Sequence, residues 1–183
     1  TASLLSSQVC DGFAEALRYA AFQVVSIFTS TGFATTNYIH WPVVTHVIFL
    51  ILMFVGGCAG STGGGMKTIR VLLVWRQPPS ELMHLVHPRR IFPVRVGGVS
   101  MRNSTVATVT AFFTLYVGLF ALSALALAGL GMDILDAASG AAACLGNVGP
   151  GLGSVGPMDN FSGVPLLGKW VLSFDMLLGR LEI

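Results

Sequence analysis

Three glycine-centred strings and one arginine carry the chemistry of this chain: Ser30-Thr31-Gly32-Phe33, the run from Gly56 to Gly65, Asn147-Val148-Gly149-Pro150, and Arg180. A cation leaving water needs its hydration shell replaced, and backbone carbonyls do this when a short turn adopts a conformation that glycine permits. Gly32 and Gly149 stand where such a turn needs them. Each turn follows a helix-forming stretch, whose C-terminus would add about half a negative charge toward the cation. Asp133 and Asp136, with Asp11 and Glu15, fall near the opposite, N-terminal ends of those stretches, where acids are favoured. An ordinary glycine-containing surface turn is the plainer reading of either string taken singly.

The two turns belong to a repeated unit. Sliding the chain on itself by 117 residues lays Ser30-Thr31-Gly32 over Asn147-Val148-Gly149 and Ile27-Phe28 over Cys144-Leu145. A slide of 123 lays Pro42 on Pro165, Met53 on Met176 and Gly56 on Gly179. The difference of six residues is a longer loop in the second copy. Residue identity between the copies is low, so the weight rests on the shared order of parts: helix, turn, loop, Pro-led apolar helix.

Six of the ten residues from 56 to 65 are glycine, which no stable helix tolerates at about 1 kcal/mol each relative to Ala. The string Gly60-Ser61-Thr62-Gly63-Gly64-Gly65-Met66-Lys67 approaches a phosphate-binding loop, but Met66 separates the last glycine from Lys67. The preceding segment also has helical rather than strand length, so the string fails as a nucleotide-binding loop on two counts. A mobile intramembrane loop and close helix packing through small residues both remain open for it. Arg180 lies about 22 Å into its helix at 1.5 Å per residue, still at hydrocarbon depth. Such an arginine faces a cavity or partner. It either meets the glycine loop, to which the 123-residue slide aligns it at Gly57, or pairs with Asp175 or Glu182, or snorkels to the inner surface. Lys169 is expected to snorkel outward.

The elements that must position these residues are membrane elements. The chain is 54% hydrophobic and 10% charged with a mean hydropathy of +0.77, against about 25% charged in soluble domains. No charge falls between Arg18 and Lys67 or between Arg102 and Asp133. Residues 104 to 130 read as a spanning helix. Residues 11 to 29 read as a helix that dips in and returns, 42 to about 55 as a descending helix, and Met66 to Trp75 as its continuation. Pro78, Pro79, Pro88 and Pro93 with Gly97-Gly98 predict a loop over 77–103, with at most a short helix at 80–86. Asp133 to Leu145 and Pro165 to Ile183 repeat the dipping and descending helices.

Seven of the ten basic residues lie between Lys67 and Arg102, facing one acid, Glu81, which puts that segment on the cytoplasmic side. Asp133, Asp136 and Asp159 then face outward. The basic segment answers to topology or anionic lipid rather than nucleic acid. Cys10, Cys58 and Cys144 lack paired spacing and read as inert thiols. His40, His46, His84 and His87 form no ligand set, and no nucleophile or paired carboxylates argue for an enzyme. The first residue is not Met and the last apolar helix is cut short, which reads as a piece of a longer protein.

The strings STGFAT, FVGGCAGSTGGGMK, NVGPGLG and LLGRLEI resemble those of the Trk, Ktr and HKT potassium transporters, and among them the third and fourth pore repeats of the bacterial Trk-type pore-forming subunit. The resemblance covers essentially all 183 residues. It implies an all-α polytopic membrane fold of repeated helix, pore-loop, helix units with pseudo-fourfold arrangement when complete. Residues 1–76 would be the third repeat, 77–103 a cytoplasmic loop and 104–183 the fourth repeat, truncated in its inner helix. It further implies an ion filter of Ser30, Thr31, Gly32 and Phe33 with Asn147, Val148, Gly149 and Pro150, holding K⁺ at Thr31, Gly32, Val148 and Gly149. Gly56, Gly57, Cys58, Ala59, Gly60, Ser61, Thr62, Gly63, Gly64 and Gly65 would form a gate with Arg180. The activity implied is potassium uptake across the bacterial inner membrane, with no organic cofactor, as a homodimer with a cytoplasmic nucleotide-binding regulatory ring. Asn147-Val148 in place of Ser30-Thr31 departs from symmetry and keeps a weakly selective or sodium-permeable pathway open, as does symport. A non-conducting structural or regulatory membrane module is the alternative of another class.

Overall fold

The computed structural model describes residues 12–61, 63–86 and 94–181. Expectations placed on Cys10, Asp11, Thr62, His87 and Glu182 lie outside the described residues. Among the described residues six α-helices carry the fold: α1 (Phe13–Phe28), α2 (Val43–Val55), α3 (Thr68–Val86), α4 (Asn103–Gly129), α5 (Ile134–Leu145) and α6 (Leu166–Leu181). Among the described residues only Ser104–Gly129, within α4, is long and apolar enough to cross a membrane. At 1.5 Å per residue it reaches about 39 Å, more than the hydrocarbon core of about 30 Å. The 13 residues of α2 and the 12 of α5 reach only about 20 Å and 18 Å. Their ends must therefore be satisfied inside the protein or beside water.

The short α5 is the hub: α4, α6 and α2 all pack on it, and α4 also packs on α3 and α6. Its residues Ser139-Gly140-Ala141-Ala142-Ala143-Cys144-Leu145 are all buried. Small side chains allow three helices to approach one axis closely, the main source of cohesion where lipid removes the hydrophobic drive between helices. One apolar cluster, with Ile27, Tyr38, Phe49, Met53, Ala143 and Val148, joins α1 and α2 to α5. A second, with Leu127, Ala141, Cys144, Val155 and Leu172, joins α4, α5 and α6.

The structure departs from the expected loop over 77–103. α3 runs unbroken to Val86 with Pro78 and Pro79 inside it, although each proline removes one N–H from the helical ladder. The residues just ahead of them are anchored: Arg76 Nη1 donates to the Arg95 carbonyl at 2.6 Å, and Thr110 Oγ1 of α4 donates to Gln77 Oε1 at 2.5 Å. Beyond α3, β1 (Arg95–Val96) pairs antiparallel with β2 (Val99–Ser100). Gly97 and Gly98 both take positive φ, 59° and 84°, which a two-residue hairpin turn requires.

Candidate functional site

The turns after α1 and α5 share one backbone. Ser30 N–H donates to Ile27 O and Thr31 N–H to Ser26 O; 117 residues on, Asn147 N–H donates to Cys144 O and Val148 N–H to Ala143 O. This double bond pattern is a Schellman cap, which needs a left-handed residue just past the helix. Ser30 (φ 56°) and Asn147 (φ 53°) supply it. Two residues later Gly32 (φ 76°) and Gly149 (φ 106°) turn left-handed again. Sequence reasoning assigned the unusual backbone to the glycines alone. A left-handed serine, which costs about 1 kcal/mol or more, carries no signal in its own residue type. Its alignment with Asn147, a residue that tolerates this region, was the available clue.

The two turns touch. A Cβ built on Gly32 would run into the Val148 carbonyl oxygen and lie 3.0 Å from Pro150 Cδ. The helix C-termini of α1 and α5, each with its partial negative charge, therefore end side by side. Thr31, Phe33 and Gly149 are exposed in this chain, whereas Val148 is buried. Asn147 Nδ2 donates to the Met176 carbonyl of α6 at 3.3 Å, while Ser30 Oγ is buried and has no hydrogen-bond partner among the described residues. The chemical asymmetry between the turns is thus also one of anchoring.

The glycine run lies against the base of both turns. α2 ends at Gly56 (φ 66°), and the chain loops back so that Met66 N–H donates to Phe54 O and Thr68 N–H to Gly57 O. A Cβ on Gly63 would sit 3.6 Å from both Ser30 Oγ and Thr29 O; one on Gly64 would sit 2.5 Å from Gly146 O and 2.9 Å from Asn147 Cβ. Cys58, Ala59 and Gly60 are exposed, and a Cβ on Gly60 would meet nothing within 4 Å. Gly179, beside Arg180, abuts the last turn of α5, where a Cβ would strike the Leu145 carbonyl oxygen. Arg180 is exposed in this chain.

At the far end of α5, Asp133, Asp136 and Asp159 line one cavity of about 580 Å³. Asp136 accepts from the backbone N–H of Ser154 at 3.2 Å and from Ser154 Oγ, which fastens the 3₁₀ turn Gly153–Val155 to α5. Lys169 Nζ donates to Ser162 O at 2.9 Å. Sequence reasoning missed the buried polar side chains Gln23, Ser26 and Ser139 behind the turns, although each is a polar residue in a largely apolar helix, and it weighed the buried Asp175 only as a partner for Arg180. Asp175 accepts from Ser123 Oγ at 2.7 Å. Among the described residues no group of three or more His, Cys, Asp and Glu could hold a metal.

A helical fold around one helix of spanning length, with two capped turns meeting over a glycine loop and wide apolar exposure, has the character of a membrane protein. The chain belongs to the TrkH family of cation transport proteins, whose family model matches residues 7–183. It is 48% identical over 169 residues to the Trk system potassium uptake protein TrkH of Vibrio parahaemolyticus, covering 92% of this chain and 34% of that protein. It is 42% identical over 167 residues to the protein of the same name from Escherichia coli, covering 91% of this chain and 34% of that one. The crystal structure of the potassium transporter TrkH from Vibrio parahaemolyticus superposes with a TM-score of 0.88 at 46% identity, covering 99% of this chain and 38% of that one. The chain thus spans about a third of the length of these relatives.

Proposed function

We propose that this chain supplies two of the units lining a potassium-uptake pathway in the bacterial inner membrane. The observation that carries the reading is the contact of two identically capped turns directly above Gly63 and Gly64. The turn carbonyls of Ser30 to Phe33 and Asn147 to Pro150 replace water around K⁺, most closely at Thr31, Gly32, Val148 and Gly149. The helix ends of α1 and α5 stabilise the cation as it sheds water. The run from Gly56 to Gly65 blocks the pathway below and must shift for ions to pass, while Arg180 places a positive charge beside it. Residues 1–76 and 104–183 are the two units, and the basic segment between them faces the cytoplasm. There it meets the regulatory nucleotide-binding ring of a homodimeric transporter.

The test is K⁺ uptake by potassium-transport-deficient cells carrying the full-length protein. Gly149→Ser is expected to abolish uptake or its ion selectivity, and Arg180→Ala to raise flux. Unchanged uptake in both would leave a membrane fold with no support for filter or gate. The Ser30 side chain lacks the tie to α6 that Asn147 has, and this less anchored turn favours a second reading in which the pathway also passes Na⁺. Comparing Na⁺ and K⁺ uptake rates in the same cells decides between the two.

A further inference from the structure

The backbone of both turns is held from behind by buried side chains, and one hydroxyl that holds the first turn is absent behind the second. Thr35 N–H donates to Gln23 Oε1 at 3.3 Å, and the position 117 residues on, Leu152 N–H, donates to Ser139 Oγ at 2.9 Å. Each unit thus clasps the same N–H from its own preceding helix. Ser26 Oγ also donates to Phe33 O at 2.6 Å. The position 117 residues beyond Ser26 is Ala143, which has no hydroxyl, so α5 cannot repeat that bond. Tyr38 of the first unit instead reaches across, and its Oη donates to Gly151 O at 3.1 Å, one carbonyl past Pro150.

The phenol is delivered by a rigid mount. Tyr38 is wholly buried, its ring packs edge-on against Phe49 at 5.2 Å and Trp41 at 6.5 Å, and its carbonyl is 2.9 Å from His46 Nε2. Gly149, on the other side of the same turn, has open space where a Cβ would sit. The shape of the second turn is consequently set from behind. Where cavity size sets selectivity, a carbonyl ring free to contract onto a smaller ion discriminates less between cations than one whose backbone is tied.

We propose that Tyr38 is a positioning residue for the Asn147–Pro150 turn: its phenol, supplied by one unit, replaces the hydroxyl that Ala143 of the other lacks, and thereby sets cation selectivity. This rests on the filter reading above. The experiment is the ratio of initial K⁺ to Na⁺ uptake by the full-length protein in proteoliposomes. Tyr38→Phe keeps the ring packing and removes only the donor, so the ratio is expected to fall about fivefold, the factor one net hydrogen bond carries. Adding Ala143→Ser, which recreates the Ser26 arrangement, should recover it. A purely structural role would lower abundance and leave the ratio of the surviving protein unchanged, and that result overturns the proposal. A lowered ratio that Ala143→Ser fails to recover overturns the replacement of Ala143. Gly149→Ser in the same assay separates the levels: a ratio moved by Gly149→Ser and not by Tyr38→Phe removes the tie alone, whereas one moved by neither removes the filter.

Discussion

At Gly64 the spacing between loop and turn is decided by a single hydrogen atom. A Cβ there would lie 2.5 Å from Gly146 O and 2.8 Å from its carbonyl carbon, both backbone atoms that cannot rotate away. Gly64→Ala should therefore unseat the loop from beneath the second turn, and if the loop is the barrier, K⁺ flux through the full-length protein rises several-fold. Flux equal to or below that of the unaltered protein would show that the loop does not close the pathway. Gly63, whose Cβ would meet Ser30 Oγ and Thr29 O at an ordinary 3.6 Å, is the control, and Gly63→Ala should change flux far less. Glycine count alone made this run legible in the sequence as a place where a helix must break. Which of its glycines is sterically obligatory was not legible, because that depends on Gly146 and Asn147, more than eighty residues away in the chain.

Helices α5 and α6 show the same dependence on close backbone approach. A Cβ at Gly179 would enter the Leu145 carbonyl oxygen, so Gly179→Ala must push α6 off the end of α5. An overpacked site of this kind costs about 1–3 kcal/mol, read as a lowered unfolding temperature of the full-length protein in detergent. An unchanged temperature would mean that α6 has room to slide. The Ser123–Asp175 bond ties α4 to α6 with a carboxylate only 2% exposed. Ser123→Ala leaves that oxygen without its donor, a loss of about 1–3 kcal/mol in the same measurement. Helix positions were legible from hydrophobic runs and Pro and Gly boundaries: Pro42 directly precedes α2 and Pro165 directly precedes α6. α3 was misjudged because the prolines were weighed by local propensity, while its anchors on Arg95 and Thr110 are tertiary. The 95–100 hairpin was missed because Gly97-Gly98 was counted as a loop signal and not as a dipeptide suited to the two positive φ values of a tight hairpin turn.

The whole molecule presents two turns side by side, and two sides do not enclose an ion. Val43, Val44, Val47, Ile48 and Ile51 of α2 and Leu166, Leu167, Trp170 and Phe174 of α6 are exposed, so both descending helices turn apolar surface outward. Thr31, Phe33 and Gly149 are exposed as well, where a completed pathway would surround them. Composition made the membrane setting legible, and the offset of 117 residues made the pair of turns legible. Their direct contact was not, since nothing in either string encodes which carbonyl faces which. The chain matches about a third of its relatives' length, and in the proposed arrangement the remaining walls come from elsewhere in the complete protein. Residues 1–183 alone, reconstituted in liposomes with an outward K⁺ gradient, are therefore expected to release no more K⁺ than protein-free liposomes, while the full-length protein releases it readily. Release by the 183-residue chain that rises with the square of its density in the membrane would show instead that two copies close the ring between them. Release linear in density would mean that two turns suffice, and the enclosing-wall argument would fail.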